Sequence, residues 1–316
     1  MSAPILEGVA GRLADRPLDE AMVAELVGGQ FPDLAHRPVT RLGAGWDNEV
    51  FAVGPDLVFR FPKRADQVSR QTREVQVLSL VEEGLGPLVP HLCCLGRPSQ
   101  RFPYPFVGYR RLPGVSIDCS GGRDLIAALA PALGAALGRL HQVDPARVPP
   151  TPTGWEREPL DQRRADLVLC AATIAPLLDR GLRERAAPFL SGEVPIPTRS
   201  GPPCLCHNDI CAEHVLVDRR GNLRGLIDWT DAMVTDPVVD FVGLITIGGW
   251  SFVDRVVAAY PLRLDAGFAQ RLERLTRTLA LTWLAEAVEE DAAHLDRHLA
   301  WVARAFAGHP SPAIRR

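Results

Sequence analysis

Lysine is nearly missing from this 316-residue chain: Lys63 is its only representative, and the other strongly basic side chains are arginines. Any task that needs a fixed cation therefore falls to an arginine or to Lys63, although a GC-rich coding bias alone would produce the same composition. A basic excess is missing too. Lys and Arg together number 35 against 38 Asp and Glu, a formal net charge of −3. Nucleic-acid binders carry a basic footprint, so no nucleic-acid partner is expected. The small acidic balance is compatible with a cationic ligand without pointing to one.

Metal-type cysteine spacing is also absent. The seven cysteines include the adjacent Cys93 and Cys94 and the alternate Cys204 and Cys206, but no C-x-x-C, which argues against zinc-ribbon and zinc-finger patterns. A spacing of two suits one face of a buried strand, with cysteine serving as a small apolar residue. Read as reduced thiols, the cysteines point to the cytoplasm. The opening Met1-Ser2-Ala3-Pro4 lacks a basic region followed by an apolar stretch, so no signal peptide is expected. The most apolar run, Leu125 to Leu140, is cut by Pro131 and bounded by Arg123, Asp124 and Arg139. It is too short for a bilayer and reads as a core helix. No repeat or low-complexity tract interrupts the chain.

What is present is an ordinary globular composition, 47% hydrophobic and 23% charged, long enough for one large domain or two lobes with a substantial core. Residues 5–30 read as an amphipathic helix. Short apolar runs at Val39–Leu42, Glu49–Val53 and Leu57–Phe61, with a Gly54-Pro55-Asp56 turn, predict an antiparallel meander. A helix over Asp66–Glu83 ends at Gly84. The Pro-rich stretch from Pro87 to Pro105 holds one or two strands, and Phe106–Leu112 is another. Helices then dominate: Asp124–Leu140, Leu160–Arg180, Gly181–Leu190 and two within Asp265–Ala307. A compact β unit of Cys204–Cys206, Val215–Val217 and Leu223–Ile227 interrupts them. The expectation is an α+β chain with a small β-rich lobe over 1–111, a hinge near residue 111 and a larger helical lobe over 112–316.

Chemistry concentrates between His207 and Phe241. A loop crowded with His207, Asn208, Asp209, Glu213 and His214 lies between two apolar strands, and Asp228, Asp231, Asp236 and Asp240 follow the return strand. Folding the hairpin back brings Asp209, His214 and Asp228 together. Two carboxylates and one further ligand suit a hard dication such as Mg2+, which takes few protein groups and leans on substrate phosphates. A single Asp at a strand end is by itself an ordinary turn or cap residue. The paired arrangement, strand–HxD–loop–strand–hairpin–strand–Asp, is much more specific.

His207-x-Asp209 with His214 five residues on, then Ile227-Asp228-Trp229 and Asp236-Pro237, resembles the aminoglycoside phosphotransferases, relatives of the protein kinases. Asp209-x4-His214-Val-Leu, Ile-Asp-x-x-Asp-Ala and Asp-Pro-x-x-Asp-Phe are most similar to the 2″-aminoglycoside and macrolide 2′-phosphotransferase branches. The resemblance runs from about Val39 onward and implies a bilobal protein-kinase-like fold. It implies Asp209 as catalytic base and orienter of the attacking hydroxyl, His214 and Asp228 as magnesium ligands, and His207 as an internal brace. Phosphoryl transfer asks mainly for positioning and charge neutralisation, so Asp209 need not be a strong base.

By the same resemblance, Gly43, Gly45, Asp47 and Asn48 form a glycine loop over the phosphates of ATP or GTP, with backbone N–H groups offered to them; taken alone, the two glycines mark a plain hairpin turn. Arg60 aligns with the phosphate-gripping position, keeping the charge and allowing a bidentate grip, while Lys63 follows Pro62 at the strand exit. Glu74 would pair with Arg60, or else belong to an exposed helix-face pair. Backbone groups around Arg110 and Leu112 would meet the purine. On the acceptor side, Asp231, Glu286 and Glu290 form a candidate anionic rim, or a solvated face, and Trp283 an apolar wall or core. Glu286 and Glu290 share a helix face. The expected partner is a small-molecule antibiotic, an aminoglycoside first. A macrolide or a metabolite is the alternative, and a catalytically silent nucleotide-binding protein is the reading from another class. The unit is expected to be a monomer, with a dimer left open.

Overall fold

The computed structural model describes residues 13–44, 47–117, 123–151, 160–290 and 294–310. Alternation of large apolar residues builds its first layer. Five antiparallel strands, β1 (Val39–Ala44), β2 (Asn48–Val53), β3 (Leu57–Pro62), β4 (Leu92–Gly96) and β5 (Phe106–Arg110), form a sheet in the order β1-β2-β3-β5-β4. Phe51, Val53, Leu57, Phe59, Phe61 and Phe106 share one face with Val23, Leu26 and Val27 of helix α1 (Glu20–Gln30), and the Phe61 and Phe106 rings stack with centroids 4.6 Å apart. Val107 and Tyr109 point the other way, into a larger cluster with Val77, Leu78 and Val81 of α2 (Val68–Leu85). The period of two thus sends β5 side chains to two different cores. The β2–β3 turn needs a left-handed residue and has Gly54 at φ 67°.

Beyond β5 the large cluster continues through α3 (Arg123–Leu140), α4 (Leu160–Ile174), α5 (Arg180–Leu190), α6 (Val239–Val242), α7 (Ile245–Ala259), α8 (Phe268–Glu290) and α9 (Leu295–Phe306). Two small sheets sit among these helices: β6 (Val115–Ser116), β8 (Val215–Val217) and β9 (Leu223–Leu226) in the order β6-β8-β9, and β7 (Cys204–Cys206) paired with β10 (Met233–Thr235). Arg271, buried on α8, donates to both oxygens of Asp265 and to Asp236 Oδ2 at 2.8 Å, which fixes the chain just after β10. Among the described residues no helix is long and apolar enough to cross a membrane.

Four expectations need correction. Residues 13–19 are not helical: Pro17 lacks the N–H a helix interior needs, and Asp19 caps α1 by accepting from the Met22 amide at 2.7 Å. Residues 1–12 lie outside the described residues. Helix α2 runs past Gly84 to Leu85 and stops at Gly86, φ 54°. Cys204–Cys206 is not part of the Val215–Leu226 hairpin but pairs with Met233–Thr235. The Leu160 helix ends at Ile174, where Pro176 enters a short 3₁₀ turn over Ala175–Leu177.

Phe61 meets Phe51, Phe59, Phe102 and Phe106. Phe61→Ala should therefore lower the unfolding free energy by about 3–5 kcal/mol in urea melts.

Candidate active site

Two loops carry the site, one from β7 to β8 and one from β9 to β10. They meet because the β8–β9 hairpin pairs Val215 with Leu226 and the Ile227 amide donates to the His214 carbonyl at 3.0 Å. Both loops turn through left-handed residues that are not glycine, Asn208 at φ 69° and Asp228 at φ 64°. Such residues store roughly 1–3 kcal/mol of strain each, and persist where surrounding bonds over-determine them.

Asp240 supplies those bonds for the first loop. Its fully buried carboxylate accepts from the His207 amide at 3.0 Å and the Asn208 amide at 2.6 Å. It also accepts from His141 Nε2 at 3.0 Å, and His141 Nδ1 is 2.7 Å from the Tyr260 hydroxyl. Close to this anchor, a Cβ on Gly243 would stand 2.0 Å from the Ile210 carbonyl oxygen, so only glycine lets α6 pass this near the loop. His207 is buried, donates from Nε2 to the Ile227 carbonyl at 3.0 Å and accepts at Nδ1 from the Asp209 amide at 3.3 Å. Burial holds its pKa below the ordinary histidine value. A neutral ring is what those two bonds require.

Asp209, His214 and Asp228 converge as the sequence predicts. His214 Nδ1 donates to the Asp209 carbonyl at 2.8 Å and is 3.2 Å from Asp209 Oδ2, and its Nε2 is 3.8 Å from Asp228 Oδ2. The bond from Nδ1 orients the ring and leaves Nε2 on the Asp228 side, the usual arrangement of a ligating imidazole. Two donors 3.8 Å apart can share one small dication at about 2.1 Å from each, so the pair fits magnesium. Burial pulls the His214 pKa down, but Cys211 and Asp209 beside it outweigh burial and hold it well above the usual value, so a metal bound at Nε2 would have to displace a proton there. Burial pushes Asp209 and Asp228 up; His214 reverses that for Asp209, and Arg60 with His214 for Asp228, so both carboxyls stay below the usual range. The two carboxylates remain reachable, with 41% and 43% of their side chains exposed.

Arg60 crosses from β3 to this second loop. Its Nη1 pairs with Glu74 Oε1 on α2, and its Nη2 is 3.0 Å from Asp228 Oδ1 and 3.1 Å from Thr230 Oγ1. Glu74 is buried, not part of an exposed helix face, and also accepts the Trp229 amide at 3.2 Å. Lys63 is buried at the strand exit. Asp47 accepts from Arg70 Nη1 at 2.5 Å, and Asn48 is buried with its Oδ1 accepting from Gln71 at 3.2 Å. Gly43 lies in β1 beside a register irregularity with open space around it, and Gly45 lies outside the described residues. At the hinge, the Arg110 amide is already donated to the His91 carbonyl at 2.9 Å, while Leu112 packs on Gly225 of β9.

The acceptor-side residues divide. Asp231 pairs with Arg70 of α2 and is thus tied toward the N-terminal sheet side. Trp283 and Glu286 are half-buried on α8, and Glu290 ends that helix with a side chain outside the described ones. The Trp283 ring meets Trp301 at 6.2 Å, and Arg297 lies over Trp301 at 5.0 Å while pairing with Glu213 of the β7–β8 loop at 2.6 Å.

Residues 38–281 match the model of the phosphotransferase enzyme family. The chain belongs to that family. Within it, the GDP complex of wild-type aminoglycoside 2'-phosphotransferase-IIIa superposes with a TM-score of 0.71 at 26% identity, over 92% of this chain and 99% of that one. The apoenzyme of macrolide 2'-phosphotransferase MphH from Brachybacterium faecium gives a TM-score of 0.55 at 22% identity over 86% and 93%, a likeness of fold. A 56-residue match, 43% identical, to the uncharacterized protein YcbJ of Bacillus subtilis (strain 168) spans 18% of each chain, well under two thirds of that relative's length. The phosphotransferase fold is thus the kinase-like one expected, an antiparallel N-terminal sheet followed by a helical region.

Sequence reasoning missed the roles of five residues in and around this cleft. Asp240 was visible in Asp-Pro-x-x-Asp but had no partner until α6 was placed. His141, Arg70 and Thr230 carry no local signal. Tyr109, buried on β5 beside Arg60 and Glu74, has a hydroxyl without a hydrogen-bond partner among the described residues.

Asp240→Ala would strand two amides and the His141 ring in the core. It should destabilise the protein by about 3–5 kcal/mol in denaturant melts. The milder Asp240→Asn should lower turnover about tenfold or more by loosening the loop. Nitrogen-detected NMR should show His207 mostly neutral, with its proton on Nε2, at about pH 6.5, where an ordinary histidine is half protonated.

Proposed function

We propose that this phosphotransferase moves the terminal phosphate of ATP or GTP to a hydroxyl of a small-molecule antibiotic, an aminoglycoside first. The observation that carries this reading is the convergence of Asp209 and His214, on the loop pinned by Asp240, with Asp228 on the loop held by Arg60 and Glu74. The site lies between a nucleotide-binding lobe over 1–111 and a catalytic lobe over 112–316. Asp209 orients the acceptor hydroxyl. As the acceptor oxygen bonds to phosphorus and the bridging P–O bond breaks, the hydroxyl proton passes to Asp209 and the nucleoside diphosphate leaves. His214 and Asp228 hold Mg2+, which when bound offsets charge on the phosphates. Arg60, anchored by Glu74, holds Asp228 in place and adds positive charge beside the phosphates. Gly43, Gly45, Asp47 and Asn48 shape the phosphate loop, with the hinge around Arg110 and Leu112 against the purine. The protein works as a cytoplasmic monomer.

The aminoglycoside reading is supported by the 2'-phosphotransferase-IIIa likeness across nearly the whole chain and by Glu286 on the acceptor side. A macrolide acceptor is the second reading, favoured by the Trp283–Trp301 ring pair next to the Arg297–Glu213 tie. Both rings are half-buried, and their exposed edges offer an apolar wall. A silent nucleotide-binding protein is disfavoured by the presence of Asp209, His214 and Asp228 together.

A nucleotide-turnover assay over an antibiotic panel, with and without magnesium, separates these. Stimulation by kanamycin-type compounds alone supports the first reading, by erythromycin-type compounds the second, and nucleotide binding without turnover the third. Asp209→Ala should cut turnover by about 10²- to 10⁴-fold with nucleotide affinity retained; full activity in that variant would remove Asp209 from the chemistry.

A further inference from the structure

One guanidinium spans the mouth of the cleft. Arg70, near the start of α2, donates from Nη1 to Asp47 Oδ2 at 2.5 Å and pairs through Nη2 with Asp231 Oδ1. Asp47 closes the turn that joins β1 to β2, and Asp231 stands three residues beyond Asp228. The two carboxylates come from opposite sides of the cleft. Asp228 lies close enough to add its charge, and burial with these neighbours raises the Asp47 pKa despite Arg70.

The other cleft arginines are tied to fixed partners. Arg60 is held by Glu74, Asp228 and Thr230. Arg73 donates to the carbonyls of Pro149, Pro150 and Ala232. Arg60 has the buried Glu74, 1% exposed, as its anchor, whereas the two carboxylates on Arg70, Asp47 and Asp231, are 20% and 46% exposed. Water around the Asp231 carboxylate screens its pair with Arg70, whereas guanidinium and phosphate can form paired charge-assisted bonds. An entering phosphate can therefore outbid Asp231 for Arg70.

We propose that Arg70 is a phosphate-responsive clasp, joining Asp47 to Asp231 and passing its guanidinium to the nucleotide phosphates on binding. This rests on reading the cleft as a nucleotide site. It makes Arg70 a nucleotide-affinity residue and Asp231 its competitor, in place of an acceptor-binding role for Asp231.

Calorimetric titration of the full-length protein with GDP and with ADP in EDTA tests it. Arg70→Ala should weaken binding about tenfold or more, and Arg70→Lys should recover part of the loss. Asp231→Asn should tighten binding several-fold by freeing the arginine, and that gain should vanish in the Arg70→Ala background. An equal gain in both backgrounds would mean simple charge repulsion and overturn the clasp. Unchanged affinity in Arg70→Ala would overturn it as well. If the wild-type protein binds neither nucleotide, in EDTA or with Mg2+ added, the reading of the cleft itself fails, and the clasp with it.

Discussion

A carboxylate without solvent contact must find donors for both oxygens, and at Asp240 those donors are the His207 and Asn208 amides and the His141 ring. The loop from β7 to β8 depends on this one bonding set. It holds Asn208 in a left-handed turn, and that turn places Asp209 and, five residues later, His214. Gly243 lets α6 approach closely enough for Asp240 to reach the loop. Arg271 fixes the neighbouring Asp236 to Asp265, so the segment that carries Asp240 is itself anchored from α8.

The second loop is held electrostatically and from the other side. Glu74 on α2 accepts from the Trp229 amide and pairs with Arg60, which in turn reaches Asp228. A chain of alternating charge therefore runs from the N-terminal sheet through α2 to the loop that bears Asp228. Each buried carboxylate in it has a cation or an amide, as burial demands. Movement of α2 would be transmitted to Asp228 through Glu74 and Arg60, which makes α2 the element whose position sets this side of the cleft.

Legibility in the sequence followed the range of the interactions. Phe51, Phe59 and Phe61 alternate locally, so the meander could be read. The β8–β9 hairpin closes over the short Asp218–Asn222 turn, so the meeting of His214 with Asp228 could be read too. Pairing of Cys204–Cys206 with Met233–Thr235 bridges nearly thirty residues and leaves no periodic trace; it was misassigned. Leu18 looked like part of an amphipathic helix, yet its amide donates to Glu49 at 3.0 Å in an extended segment. Asp240, His141 and Arg70 act only through partners brought by distant elements. Their roles needed coordinates.

The central claim is that Asp209, His214 and Asp228 form one phosphoryl-transfer site. Phosphorus-31 NMR of a stoichiometric mixture of the protein, magnesium nucleotide and an aminoglycoside pool tests it most directly. The account predicts a new phosphomonoester resonance growing in step with nucleoside diphosphate, and its loss with Asp209→Ala. Diphosphate matched only by inorganic phosphate, or a phosphomonoester that persists at the wild-type rate in Asp209→Ala, would contradict it.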